Sequence, residues 1–324
     1  MVTRIFALLL LTSCVVDASS IGAQRPDRKV VRLGYIGNAA PPAEKHREEA
    51  FFSALRKLGW VEGQTLSVER RYWESRSERL PTIMQEFVRL KLEIVVTSTG
   101  TAALAAKRAT STIPIVTITS GDAVLQGLVA SLARPGGNVT GLTNISTDTN
   151  ERRMILLKDV VPNLSAVAVL GCAPLNSVQW NETRAAAKAL GLQVQPAEIK
   201  GPQEIEQALS AATRMKPGAL FVLDCTQLPS RESVAMAVKF RLPAIYPSER
   251  FMDAGGLMTY GPNLVEMASR AADYVDRILK GAKPAELPVE RPMKFEFVIN
   301  LKTAKQIGLT IPPNVLVRAD KVIK

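Results

Sequence analysis

Short apolar runs and amphipathic stretches alternate along almost the whole chain. Val30-Val31-Arg32-Leu33-Gly34-Tyr35-Ile36-Gly37 reads as a first strand. Residues 44–58 then set Ala50, Phe51, Ala54, Leu55 and Leu58 on one helical face, and Gly59 follows where a left-handed stop is common. Residues 66–72 alternate like a strand, and 77–90 place Leu80, Ile83, Met84 and Phe87 at helical spacing. A buried strand over 93–97, an Ala-rich helix over 101–109 and a strand over 113–119 come next. The spacing then predicts a helix over about 124–132, stopped by Arg134-Pro135-Gly136-Gly137, and a strand over 139–143.

The pattern restarts after a helix over 151–161. Strands are expected at 166–170, 193–198, 219–223, 244–246 and 257–260. Helices are expected at 177–190, 203–215, 230–240 and from Asn263 to Gly281, where Asn263 and Glu266 form a box-like cap. Short apolar strands alternating with helices mean parallel sheets covered on both faces. Two successive series mean an α/β protein of two doubly wound parallel-sheet lobes. No Pro/Gly/Ser linker separates them, so the chain crosses between lobes rather than stringing two beads.

Composition removes several classes. With 324 residues the chain can fill two lobes, and 47% hydrophobic residues exclude a disordered chain. Three Cys are too few for a disulfide scaffold, and the single His46 excludes multi-His metal sites. His46 itself falls on the polar side of a charged helix. The net charge is +11, yet the basic residues are scattered in runs of at most two. That is a solvated basic surface, not a nucleic-acid footprint.

The N-terminus reads as an export leader. Arg4 precedes the apolar run Ile5 to Leu11, which is shorter than the roughly 20 residues a spanning helix needs. Cleavage after Ala23 would give a leader of residues 1–23. Leu11-Thr12-Ser13-Cys14 also resembles a lipobox, in which case the leader is 1–13 and Cys14 carries lipid. Either way the destination is outside the cytoplasm, periplasmic and free or lipid-anchored.

Ligands of open parallel sheets bind beyond the C-terminal strand ends. Asn38 and Ala39 follow the first strand with room for a ligand. Ser98-Thr99-Gly100-Thr101 joins a buried strand to a helix start, where hydroxyls and N–H groups suit a carboxylate or simply cap the helix. Asp122 and Asp224 follow strands and would either accept from a ligand amine or cap their turns. Tyr246 and Glu249 flank Pro247-Ser248, an aromatic face beside a carboxylate that fits a small cation. Cys172 and Cys225 end second-series strands and are either bridged or two free thiols. No P-loop, nucleophile elbow or dinucleotide fingerprint is present, so no cofactor and no metal is expected.

Five stretches carry a family resemblance: GWVEGQTLSVERRYWE (59–74), GTAALAAKRATSTIPIV (100–116), GLVASLARPGGNVTGLTN (127–144), AGGLMTYGPNLVEMASRAADYVDRILKGAKPAELPVERP (254–292) and KFEFVINLKTAKQIGLTIPPNVLVRADKVI (294–323). The chain resembles the bacterial ABC-transporter substrate-binding family of tryptophan/tyrosine transport components. The resemblance implies a periplasmic-binding-protein type I fold, with three interlobe crossings and a central cleft. Mapped here, lobe one is 29–143 plus 252–284, and lobe two is 144–251 plus 285–324. It further implies hinge closure over an amino acid or carboxylate, a membrane permease as partner, and contact of the ligand carboxylate with the loop from Ser98 to Thr101. The chain departs from the family at Gly171-Cys172-Ala173-Pro174 and at Ala123, which points to a second-lobe wall of different specificity. A periplasmic sensor is the alternative use of the same cleft. An enzyme would need an acid–base pair such as Asp122 with Glu249.

Overall fold

A computed structural model describes residues 30–39, 45–144, 149–175, 178–225 and 228–324. The expected leader, with Cys14 and Ala23, lies outside the described residues. The first lobe opens with β1 (Val31–Gly37), α1 (Lys45–Lys57), β2 (Leu66–Tyr72), α2 (Leu80–Arg89), β3 (Ile94–Thr97) and α3 (Gly100–Ala109). After these come β4 (Ile115–Thr117) and β5 (Val139–Gly141). The five strands form one parallel sheet in the order β2-β1-β3-β4-β5. All four residues of β3 are buried, which is why the run is continuously apolar up to its threonine.

The second lobe runs through α4 (Thr149–Val160), β6 (Ala166–Cys172), α5 (Val178–Ala189), β7 (Gln193–Ile199) and α6 (Ile205–Thr213). It continues with β8 (Ala219–Val222), α7 (Ser230–Lys239), β9 (Ala244–Tyr246), α8 (Arg250–Asp253) and β10 (Met258–Pro262). The chain then returns to lobe one as α9 (Leu264–Leu279), whose Met267, Ala271 and Val275 pack with Leu33, Phe51 and Leu55. Asn263 caps α9 by accepting from the Glu266 N–H at 2.8 Å, as the sequence pair suggests. Lobe two is completed by β11 (Phe295–Asn300), α10 (Leu301–Ile307), α11 (Pro313–Leu316) and β12 (Lys321–Ile323). Its sheet order is β12-β11-β10-β9-β8-β6-β7, parallel except where β10 meets β11.

The expected lobe boundaries need moving. β10 lies in the second sheet, paired with β9 and β11, so residues 252–262 belong to lobe two and the crossing into lobe one falls just before α9. Residues 285–290 stay with lobe one: Leu287 and Val289 are buried in its cores, and Thr140 Oγ1 donates to the Leu287 carbonyl at 2.6 Å. The first and last crossings run side by side. The Thr143 N–H donates to the Glu290 carbonyl at 2.9 Å, and the Glu290 N–H to that of Gly141 at 3.0 Å.

The helix expected over 124–132 does not form. Asp122 Oδ1 instead accepts from the N–H groups of Val124 and Leu125, and Gly127 takes a positive φ of 67° that ends the turn. Ala123, Leu128 and Val129 still reach the core, which explains the helix-like spacing of apolar residues. The periodicity reading stops at Gly281 and does not reach β11, α10, α11 and β12.

Candidate functional site

Both sheets follow the same winding, so each has a point where neighbouring strands send their helices to opposite faces. In lobe one this lies between β1 and β3, and in lobe two between β6 and β8. Ligands of such sheets gather at these points. The loops leaving all four strands converge on a cleft of about 480 Å³ between the lobes.

On the lobe-one wall, Thr99 is the N-cap of α3, and its Oγ1 accepts from the Ala102 N–H at 3.3 Å. Gly100 and Thr101 open the helix and line the cleft. N–H groups of a first helical turn have no intrahelical acceptor, and the helix dipole favours an anion there. Gly100 is required by a close approach, since a Cβ on it would run into the Ser120 carbonyl oxygen and come within 2.6 Å of the Gln126 side chain. Thr119, Ser120, Gly121 and Gln126 extend this polar wall. Asn38 lines the cleft beside it, and its side-chain oxygen accepts from Ser75.

The lobe-two wall carries the acids Asp224, Glu249 and Asp253 and the base Arg250. Asp224 receives the Asn144 side chain at 3.3 Å, and its own N–H donates to Gln179 Oε1 at 3.2 Å. Under this wall lies Arg153, fully buried, donating to the Val222 carbonyl at 2.8 Å and standing 4.5 Å over the Phe221 ring. Burial pulls its guanidinium down to about 10, and the nearby charge of Asp224 opposes that fall. Burial, with the like charge of Asp253 next, pushes the Glu249 carboxyl above the usual range, while Arg47 and Lys321 pull the other way.

Cys172 and Cys225 are bridged, with Cα atoms 6.2 Å apart. The open alternative between disulfide and free thiols is thereby decided, because β6 and β8 are adjacent strands. Both half-cystines line the cleft, so the bridge is part of its surface and ties two wall loops together.

Several expected residues do other work. Ser98 is buried, and its Oγ accepts from the Asn38 N–H at 3.0 Å, so it braces the wall from behind. Asp122 caps its own turn and does not line the cleft, so no Asp122–Glu249 pair is assembled. Tyr246 is buried, stacked on Phe251 at 4.8 Å, with its phenol held above the usual range by burial. Ala39 is half-buried outside the lining. The remaining expected residues, Asn38, Thr99, Gly100, Thr101, Cys172, Asp224 and Glu249, come together in the cleft.

Sequence reasoning missed Asn144, Gln126, Gln179, Arg47 and Asp253, and it set His46 aside as merely solvated although it stands at the cleft. Asn144 was findable, since it directly follows a predicted strand. It accepts from the Gly121 N–H at 2.7 Å in lobe one while donating to Asp224 in lobe two. Among the described residues, no group of His, Cys, Asp and Glu is placed to hold a metal, and no helix is long and apolar enough to cross a membrane.

Comparison with known proteins places this architecture. A family model for the ABC transporter substrate binding protein matches residues 40–323. The tyrosine-binding protein of Clostridioides difficile (strain R20291) is 25% identical over 319 residues, covering 95% of this chain and 91% of that one. The ABC domain in complex with L-Trp from Streptococcus pneumonia shares the fold with a TM-score of 0.83 at 24% identity, over 91% of this chain and 100% of that one. A conserved domain protein from Vibrio cholerae O1 biovar eltor gives 0.83 at 26% identity, over 91% and 100% of the two chains.

Proposed function

This chain belongs to the ABC transporter substrate binding protein family, and from that premise we propose that it is an exported receptor for a small amino-acid-like ligand. The ligand sits in the interlobe cleft and is handed to the membrane permease of an importer. The observation that carries this reading is the opposed polarity of the two walls. An α3 N-terminus with Thr99, Gly100 and Thr101 faces the acids Asp224 and Glu249. A carboxylate belongs on the first wall and an ammonium group on the second. The names of two similar proteins, one tyrosine-binding and one solved with L-Trp, support an amino acid as the ligand class. The matching family model is that of a substrate binding protein, and on that ground the site is read as binding without turnover.

Contact with both walls is what would drive the lobes together, because a ligand shifts the open–closed balance only by its differential affinity for the two states. A thermal-shift panel of amino acids and small carboxylates tests the proposal. A ligand at 100 times its Kd should stabilise by about 2.7 kcal/mol. Absence of stabilisation by every member of the panel would overturn the amino-acid reading.

A further inference from the structure

We infer that the cleft selects an amino acid with a basic side chain rather than an aromatic one. The inference rests on the proposed amino-acid-binding function and narrows its ligand class.

No Phe, Tyr or Trp lines the cleft among the described residues. The internal undescribed stretches 40–44, 145–148, 176–177 and 226–227 contain none in sequence either. The nearby rings face the lobe-two core instead. Tyr246 and Phe251 stack on each other, and Phe221 lies under Arg153. An indole or phenol in the cleft would therefore find no Phe, Tyr or Trp to stack against, only the His46 imidazole at the cleft, and would cover hydroxyls, amides and carboxylates. Covering such groups without giving them a hydrogen-bond partner is costly. The apolar part of the lining is aliphatic and includes Ala173, Pro174, Leu175, Leu223, Pro247 and Leu264. That surface suits a methylene stem, which long basic side chains lay along apolar groups while their charged ends stay polar.

The charges favour the same ligand. Among the described residues, the lobe-two wall sets three carboxylates, Asp224, Glu249 and Asp253, against one cation, Arg250, and Arg47 of lobe one also lines the cleft. Asp224 stands at the end of β8, and Glu249 and Asp253 lie together at α8, where the Asp253 N–H donates to the Glu249 carbonyl at 3.2 Å. Arg250 on the same turn donates to the Cys225 carbonyl at 2.8 Å and lies 4.7 Å over Phe251. With Arg47 and Lys321 already acting on it, Glu249 still prefers its proton more than a free carboxyl does. Burial and, after it, the like charge of Asp253 cause this, and a second ligand cation beside Glu249 and Asp253 would offset both, while Asp224 takes the α-ammonium.

The test is calorimetric titration of the purified protein with L-lysine, L-arginine and L-ornithine against L-tryptophan, L-tyrosine and L-norleucine. Norleucine keeps the lysine stem without its amine. At least one basic amino acid should bind tenfold or more tighter than norleucine and both aromatic amino acids. Equal or tighter binding of tryptophan or tyrosine overturns this inference and leaves the proposed function standing. Failure of all six to bind overturns this inference, and the proposed function falls only if the wider panel of amino acids and small carboxylates fails as well. Glu249→Gln and Asp253→Asn should each lose at least tenfold in affinity for the basic ligand with little change in Tm. Wild-type affinity in both variants removes the role assigned to these carboxylates.

Discussion

Two glutamates show how the same side chain is pushed in opposite directions. Glu290 is gripped by Arg270 through hydrogen bonds of 2.9 and 3.0 Å, and that partner holds its carboxyl below the usual range. Its contribution to stability is present above the unfolded carboxylate range near about pH 4.3 and is lost as pH falls through the lower folded value. Glu249 is raised by burial and by Asp253, so its ionised form costs stability above that range. Glu290→Gln should therefore lower Tm at pH 7, with the difference vanishing in strong acid. Glu249→Gln should leave Tm unchanged or raise it by on the order of 1 °C at pH 7. Melting curves of both variants between pH 3 and pH 7 check the signs, and a matching pair of shifts would refute the assignment. In the proposed function, Glu249 trades stability of the empty protein for a group that can meet a ligand.

At the scale of elements, the lobe-one wall depends on how closely α3 can approach the loop after β4. Gly100→Ala would press a methyl group against the Ser120 carbonyl oxygen and the Gln126 side chain. The expected cost is about 1–3 kcal/mol of stability, together with weaker binding of any carboxylate ligand, read by denaturant unfolding and by titration. A variant with wild-type values for both would show that the approach is looser than the structure has it. The strands were legible in sequence because helices cover both faces of each sheet and leave short, continuous apolar runs such as β3 and β8. The stretch around Leu125 was not, because Ala123, Leu128 and Val129 bury themselves from a turn with helix-like spacing. At the site, the loop from Thr99 to Thr101 was readable as a strand end feeding a helix start. Tyr246 and Asp122 were misplaced because a sequence shows neither which face of a loop is buried nor whether an aspartate has spent its oxygens on its own turn.

For the whole molecule, the crossings decide how the lobes stand to one another. Asn144, in the first crossing, is bonded to Gly121 of one lobe and Asp224 of the other. Asn144→Ala removes both bonds. At roughly 1 kcal/mol for a long bond of this kind, ligand affinity should fall about fivefold, mostly through faster release. Stopped-flow dissociation measures this, and an unchanged off-rate would show that the bridge is incidental to closure.

The route of the chain also sets the order in which the protein can mature. One face of lobe one, the face that carries α1, is not completed until α9, because Leu33, Tyr35, Phe51 and Leu55 share their core with Met267, Ala271 and Val275. During synthesis at about 5–20 residues per second, the first half of the protein waits without its cover while all of lobe two down to β10 is made. Contacts between chain segments so far apart form slowly. A nascent chain whose first core closes late is slow to reach its native state, which suits a protein proposed to leave the cytoplasm before it folds.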